Sequence, residues 1–301
     1  MDSFVKDKIV VVTGAGAGIG REFAIAFARH GAKVVVNDVG RDKESGAALA
    51  EQVAAEIKAS GGDAVAAVES VAEWNSAHRI VQAALDSFGR IDTVINNAGI
   101  VRDRFVFNMS EEEWRAVIDV HLNGSFFMTR AAAPHFKSQE GGSYIHMTST
   151  SGLIGNVGQA NYGAAKLGIV GLSKAIALDM AKFKVRSNCI APWAWTAMTA
   201  SIPADTPAQL ARIEKLKKME SDKIAPLAVY LASDRASHVS GQIFGARANE
   251  LYFFSQIRMM RSMHSATGWT PESIADHAMP AFEHSFFENL SANKFTPWDP
   301  I

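Results

Sequence analysis

Short apolar, β-branched runs alternate with longer stretches of helical spacing along most of this chain. Residues 8–13, Lys-Ile-Val-Val-Val-Thr, read as a buried strand. A glycine-rich turn follows, and residues 21–30 then place Phe23, Ala24, Phe27 and Ala28 on one helical side. The same alternation predicts strands at 33–37, 64–68, 91–95, 143–148 and 185–191, with a last strand beginning at 242–245. Helices are predicted at 43–60, 73–88, 111–138, 160–183, 208–219 and 222–233. Strands separated by crossover helices predict an α/β domain whose parallel sheet is covered on both faces. That domain, including its chemistry, is expected to span residues 1–246, with 247–301 as a C-terminal extension.

The first turn carries the first chemical signal. Gly14, Gly16, Gly18 and Gly20, with Ile19 between the last two, lie between the first strand and the first helix. Glycines there let the backbone approach a pyrophosphate, and the helix start offers free amides and positive potential. Asp38 ends the second strand, eighteen residues after Gly20. A carboxylate at that spacing suits a ribose 2′-hydroxyl and would repel a 2′-phosphate, so NAD is expected as cofactor. Arg41 nearby weakens that distinction. A glycine-rich tight turn with a capping Asp is the plainer alternative.

A second signal lies further on. Tyr162 follows Ser149 by thirteen residues, and Lys166 follows Tyr162 by four. Four residues on a helix set two side chains on one face. A phenol with a pKa near ~10 is a poor base at neutral pH, and a neighbouring ammonium would favour phenolate. Ser149, arriving from a strand end, can hold a substrate oxygen. Tyr-x-x-x-Lys alone is common by chance on surface helices.

Taken together, the glycine turn at 13–20, Asn96-Asn97-Ala98-Gly99 and the Ser149/Tyr162/Lys166 set resemble the short-chain dehydrogenase/reductase family from about residue 5 to about 245. The resemblance implies a Rossmann-type, doubly wound, parallel seven-stranded sheet with helices on both faces. It also implies NAD(P)-dependent alcohol/ketone chemistry. Carried over residue by residue, it makes Tyr162 the base, Lys166 its partner and a ribose ligand, and Ser149 the orienting hydroxyl. Asn97, Ala98 and Gly99 become cofactor contacts. Ser70 and Val71 stand where the family usually has Asp-Val beside adenine. Thr196 stands for a cofactor-binding Thr in a loop one residue shorter than usual. The two long helices imply a homodimer or homotetramer.

Residues 96–104, 120–126 and 155–162 are similar to the dehydrogenase domains of the peroxisomal multifunctional enzyme type 2 group, and to bacterial relatives that oxidise 3-hydroxyacyl-CoA esters, some from steroid side chains. Here His121 occupies the place of a family Asn that holds a water in a proton path. An imidazole titrates near neutrality and can bond water. A relay role for His121 is expected, with a bridge between helix backbone groups as the alternative. Trp193 and Trp195 are expected to line the nicotinamide or substrate pocket, or else to seal the core.

Composition adds boundaries. The chain has 301 residues, 48% hydrophobic, and a net charge of −1, so it can bury a full core and offers no basic stripe for nucleic acid or an anionic membrane. The one cysteine, Cys189, lies in an apolar strand and suits a reducing compartment. No apolar stretch reaches spanning length, and neither terminus reads as a targeting signal, so a cytoplasmic enzyme is expected. No His, Cys or Asp cluster has metal-ligand spacing. Residues 197–220 stand where the family keeps a substrate lid, with Arg212, Lys215, Lys217 and Lys218 available to a CoA phosphate or simply solvated. The extension holds six of the seventeen phenylalanines. It should fold onto the core or a partner subunit, either closing an apolar pocket or as plain structure. A 3-hydroxyacyl-CoA is the expected small-molecule substrate. A 17β-hydroxysteroid, an acyl-carrier-protein ester in reduction, and an NAD-binding sensor without activity remain open.

Overall fold

The computed structural model describes residues 3–195, 206–295 and 298. Seven strands are parallel: β1 (Ile9–Thr13), β2 (Lys33–Asn37), β3 (Asp63–Ala67), β4 (Thr93–Asn96), β5 (Gly142–Met147), β6 (Val185–Trp193) and β7 (Ile243–Arg247). An eighth, β8 (Glu250–Phe253), pairs antiparallel with β7, and the order is β3-β2-β1-β4-β5-β6-β7-β8. The expected seven strands therefore become eight. The extra one comes from the extension, whose alternating Glu250-Leu251-Tyr252-Phe253 turns one face inward and one outward.

The strands are continuous apolar runs because both faces are covered. On one face α1 (Gly18–Arg29), α2 (Leu49–Ala59) and α9 (Ala225–Ala232) close a core around Val10, Val12, Phe23 and Phe27. On the other, α3 (Trp74–Phe88), α5 (Gly124–Gln139) and α7 (Ala160–Asp179) pack on Val11, Val35, Phe136 and Tyr144. The strand order reverses between β1 and β4. Ligands of open α/β sheets sit beyond the carboxyl ends of the strands at that point.

Two expected helices differ in length. The one at 43–60 starts only at Leu49, because Asp42 caps a local turn: its carboxylate accepts from Ser45 N at 2.8 Å, and Asp42 N donates to Ala47 O at 2.9 Å. The helix at 111–138 is split. Glu111–Ile118 forms α4, Asp119–Asn123 widens into a π-turn, and α5 continues. Such turns re-aim side chains and recur at functional sites; this one carries His121.

The extension lies along the sheet edge. Tyr252 and Phe254 pack on Trp193 with ring centres 5.3 and 6.3 Å away. Near the end, Ala292 N donates to Gly155 O at 2.7 Å, and the Phe295 ring stacks on Phe254 at 6.4 Å. The expected docking is thus present in part, since Ile257, Met259 and Phe287 stay exposed on the single chain.

Candidate active site

A cavity of about 410 Å³ opens beyond the strand ends. Gly14, Gly18, Ile19, Gly20, Asp38, Ser70, Val71, Asn97, Ala98, Gly99, His121, Tyr162 and Lys166 all border it. Residues far apart in sequence and singled out on separate grounds therefore meet at one place.

The glycine turn is shaped by its neighbours. Gly14 has φ +63°, and a Cβ there would stand 2.7 Å from Ala98 Cα, so only glycine fits. A Cβ at Gly16 would come within 2.9 Å of the Asp38 carboxylate. Gly16 does not border the cavity but donates its N–H to Asp38 Oδ2 at 2.8 Å, while Gly40 N donates to Oδ1 at 2.7 Å. Two backbone donors thus hold the carboxylate at the cavity edge.

Thr13 is a hydrogen-bonding hub behind the glycine turn. Its Oγ1 donates to Ile95 O at 3.1 Å and accepts from Asn97 N and Ala98 N at 3.0 and 3.1 Å. The Asn97 amide donates back to Thr13 O and Gly14 O at 2.9 and 3.0 Å. Asn97 thus fixes the glycine turn as well as bordering the cavity. Ser70 also borders it, and its Oγ accepts from Ala72 N at 3.2 Å.

Ser149 caps α6 (Thr150–Leu153), where its Oγ accepts from Ser151 N at 3.1 Å. Burial pushes the Tyr162 phenol up to about 12, a hydrogen bond with Ser149 opposes that, and Asp103 adds to it. Lys166 is buried, stands 5.5 Å from the Tyr162 ring centre and donates to Met147 O at 2.6 Å. Burial draws its pKa down to about 7. The expected lowering of the phenol by its lysine is therefore not seen, because burial raises it instead. Both groups lose water, and that loss outweighs the Ser149 hydrogen bond at the phenol and the pull of Cys189 at the lysine.

His121 also departs from expectation. It is 2% exposed, and burial, then the Lys166 charge, lowers its pKa to about 3. It therefore does not titrate near neutrality. Its Nε2 lies 2.7 Å from Ile100 O and 3.0 Å from Ile100 N. Nδ1 is buried without a partner among the described residues.

Trp193 and Trp195 do not border the cavity. Trp193 packs on the extension, and Trp195 N donates to Met219 O at 2.6 Å. Thr196 and most of the expected lid before Thr206 lie outside the described residues. Beyond them, α8 (Pro207–Leu216) starts at a capping box from Thr206. Gln159, given no role from the sequence, accepts from Ser151 Oγ at 2.8 Å and donates to Asp103 Oδ2 at 2.9 Å just before the Tyr162 helix. The signal in the sequence was its place in the 155–162 segment, which assigns it no partner.

The cavity fits a dinucleotide: a turn whose glycines cannot take a side chain, a carboxylate at one end, and a tyrosine–lysine pair at the other. The comparisons with known proteins agree. Residues 8–207 match the short chain dehydrogenase family. The chain is 41% identical over 279 residues to peroxisomal multifunctional enzyme type 2 of Mus musculus, covering 90% of this chain and 36% of that protein. It is 39% identical over 277 residues to hydroxyacyl-CoA dehydrogenase ChsB1 of Mycobacterium tuberculosis, covering 89% of this chain and 86% of that one. A crystal structure of a short chain dehydrogenase from Mycobacterium avium superposes with a TM-score of 0.83 at 36% identity, covering 96% and 98% of the two chains. Fold, cavity and sequence converge, and the chain belongs to the short-chain dehydrogenase family.

Proposed function

We propose that the protein oxidises the secondary alcohol of a 3-hydroxyacyl-CoA to the ketone, with NAD as hydride acceptor. The observation that carries this reading is one cavity bordered by Asp38 at one end and by Tyr162 and Lys166 at the other. The family uses a nicotinamide cofactor, and Asp38 favours the form without a 2′-phosphate. Bound NAD would supply the hydride acceptor and a cationic ring. The glycine turn and Asn97–Gly99 would hold it, with Asp38 on the adenosine ribose, Ser70 and Val71 beside adenine, and Thr196 nearby.

The chain's own residues then have distinct tasks. Ser149 Oγ hydrogen-bonds the substrate oxygen and steadies it as it becomes a carbonyl. Tyr162 Oη takes the hydroxyl proton. Lys166 Nζ contacts the nicotinamide ribose and, while charged, stabilises the phenolate. The acyl-CoA choice leans on what the Mycobacterium tuberculosis relative is named for. The extension reaches Gly155, six residues past Ser149, and would shape the acyl end of the pocket.

A homo-oligomer is proposed through α5 and α7, where Phe126 and Leu178 are exposed. Among the described residues no helix is long and apolar enough to cross a membrane, and the buried thiol of Cys189 fits a reducing, cytoplasmic setting.

The test follows NADH formation with purified protein across 3-hydroxyacyl-CoA esters of several chain lengths, 17β-hydroxysteroids and other alcohols, with NADP as a second acceptor. Turnover of the CoA esters with NAD is expected. Turnover confined to steroids, or reduction of carrier-protein esters with NADPH alone, would replace the reading. NAD binding with no turnover would point to a sensor.

A further inference from the structure

We infer that His121 is a positioning residue: its imidazole locks the Gly99–Ile100 end of the proposed cofactor turn against the ring of Tyr162. This deepens the proposed function and rests on it.

The geometry joins three elements at one side chain. The π-turn Asp119–Asn123 aims His121 inward between α4 and α5. The imidazole meets the Tyr162 ring edge to face, with centres 5.1 Å apart and planes at 89°. Its Nε2 faces the main chain of Ile100 at 2.7 Å from O and 3.0 Å from N. One ring nitrogen serves one of these in a given tautomer. With Nε2 unprotonated it accepts from Ile100 N, and with Nε2 protonated it donates to Ile100 O; either tautomer pins the ring to the Ile100 main chain.

Gly99 supplies an independent observation. A Cβ on Gly99 would run into Cε1 of His121 and stand 3.1 Å from Nδ1 and 3.2 Å from Nε2. The ring lies flush on the backbone of the turn. No substituent at position 99 fits while the histidine is in place. The ring is anchored from its own element too, since Ser125 Oγ donates to His121 O at 2.6 Å.

The turn it grips is the one that Thr13 holds from the other side. His121 thus clamps the Asn97–Ile100 segment from the Tyr162 side. A neutral imidazole suits this task. A charged one would stand in a buried site already holding Lys166, and its hydrogen-bonding pattern would change with pH. A lock should act on cofactor affinity, whereas a proton relay should act on the pH dependence of turnover.

The experiment measures NAD affinity by calorimetry, together with KM for NAD, kcat and its pH profile, in the full-length protein. His121→Phe keeps an aromatic body but loses the bond to the Ile100 main chain. It should weaken NAD binding about tenfold and raise KM for NAD in parallel, with the pH profile of kcat unmoved. His121→Gln, whose amide can bond the same main chain, should recover most of the affinity. Gly99→Ala should weaken NAD binding in the parent protein but much less in the His121→Ala background, because the obstructing ring is gone. Unchanged NAD affinity in His121→Phe and His121→Ala would overturn the inference. So would a displaced pH profile with intact affinity, or additive effects of Gly99→Ala and His121→Ala. A parent protein that binds NAD but turns over no alcohol would count against the proposed activity alone, and the affinity comparison would still decide the role of His121.

Discussion

Lys166 and Tyr162 sit one helical turn apart, with the ammonium 5.5 Å from the centre of the ring, and burial acts on them in opposite directions. It raises the phenol to about 12 and lowers the lysine to about 7. Each shift favours the neutral form.

That arrangement has a stability cost that can be measured. The unfolded lysine stays charged up to about pH 10.5, the folded one only up to about 7. Between those values the unfolded chain binds the extra proton, so this group's contribution to stability rises with pH. Below pH 7 the full cost of burying the charge remains. Lys166→Met should therefore melt higher than the parent near neutral pH, and the gap should narrow as pH rises towards 10.5. The same variant should lose at least ~100-fold in kcat. Melting curves and initial rates from one preparation check both. A variant that melts lower at every pH would contradict the burial argument.

Tyr162→Phe separates chemistry from fold. The phenol's hydrogen bond with Ser149 is a single link to the start of α6, and its ring neighbours are the His121 ring and the Lys166 ammonium. Removing the hydroxyl should leave the melting temperature nearly unchanged and NAD affinity within about threefold. Turnover should fall by ~100-fold or more. Circular dichroism and NADH absorbance decide between this and a structural role.

The proposed function gives Asp38 the choice between NAD and NADP. Its two oxygens take N–H bonds from Gly16 and Gly40, so the carboxylate is pre-positioned rather than free. Asp38→Ser removes the charge that would repel a 2′-phosphate. It should raise KM for NAD about tenfold or more and shift the NAD/NADP preference towards NADP. Steady-state rates with both cofactors measure this, and an unchanged ratio would remove Asp38 from the selection.

Much of this was legible in the sequence because the signals are local. β1, the glycine turn and α1 follow from adjacent residues, as do Asp38 at the end of β2 and Tyr162 and Lys166 on α7. What escaped depends on contacts across the fold. Trp193 was open between lining the pocket and sealing the core, and Tyr252 on β8 with Phe254 just after it takes its ring into packing. No spacing near residue 193 announces a strand at residue 250. The pKa of His121 escaped for the same reason, since α4 and α5 read as one regular helix and the π-turn that buries the ring is invisible in the pattern. Gln159 depends on partners as distant as Asp103.

The end of the extension bears on substrate length. Ala292 N donates to Gly155 O, and Phe295 stacks on Phe254, which in turn stacks on Trp193. Truncation after residue 290 removes the tether from the loop that leads from Ser149 to Tyr162. KM for long or bulky 3-hydroxyacyl-CoA esters should rise several-fold, with short esters little affected. If a folded truncated protein handles all chain lengths as the parent does, the extension is plain structure.

Arg247, Glu250 and Trp298 close the extension onto the sheet edge, and their link should fail in acid. Arg247 Nε meets Glu250 Oε2 at 2.6 Å, with the guanidinium side chain only 4% exposed. Trp298 Nε1 donates to Glu250 Oε1 at 2.7 Å, and the guanidinium lies 5.4 Å from the indole centre. The hydrogen bond from Arg247 comes first among the causes that hold Glu250 down at about 2, against an ordinary value of 4.5. A carboxylate with a depressed folded pKa contributes stability that is present above 4.5 and drains away as pH falls towards 2. Glu250→Gln keeps the shape but loses the charge, and should cost roughly 1–3 kcal/mol at neutral pH. The difference between parent and variant should shrink as pH drops below 4.5. Denaturant melts at neutral and acid pH test this, and a difference that stays constant down to pH 3 would show that Glu250 acts through packing rather than charge.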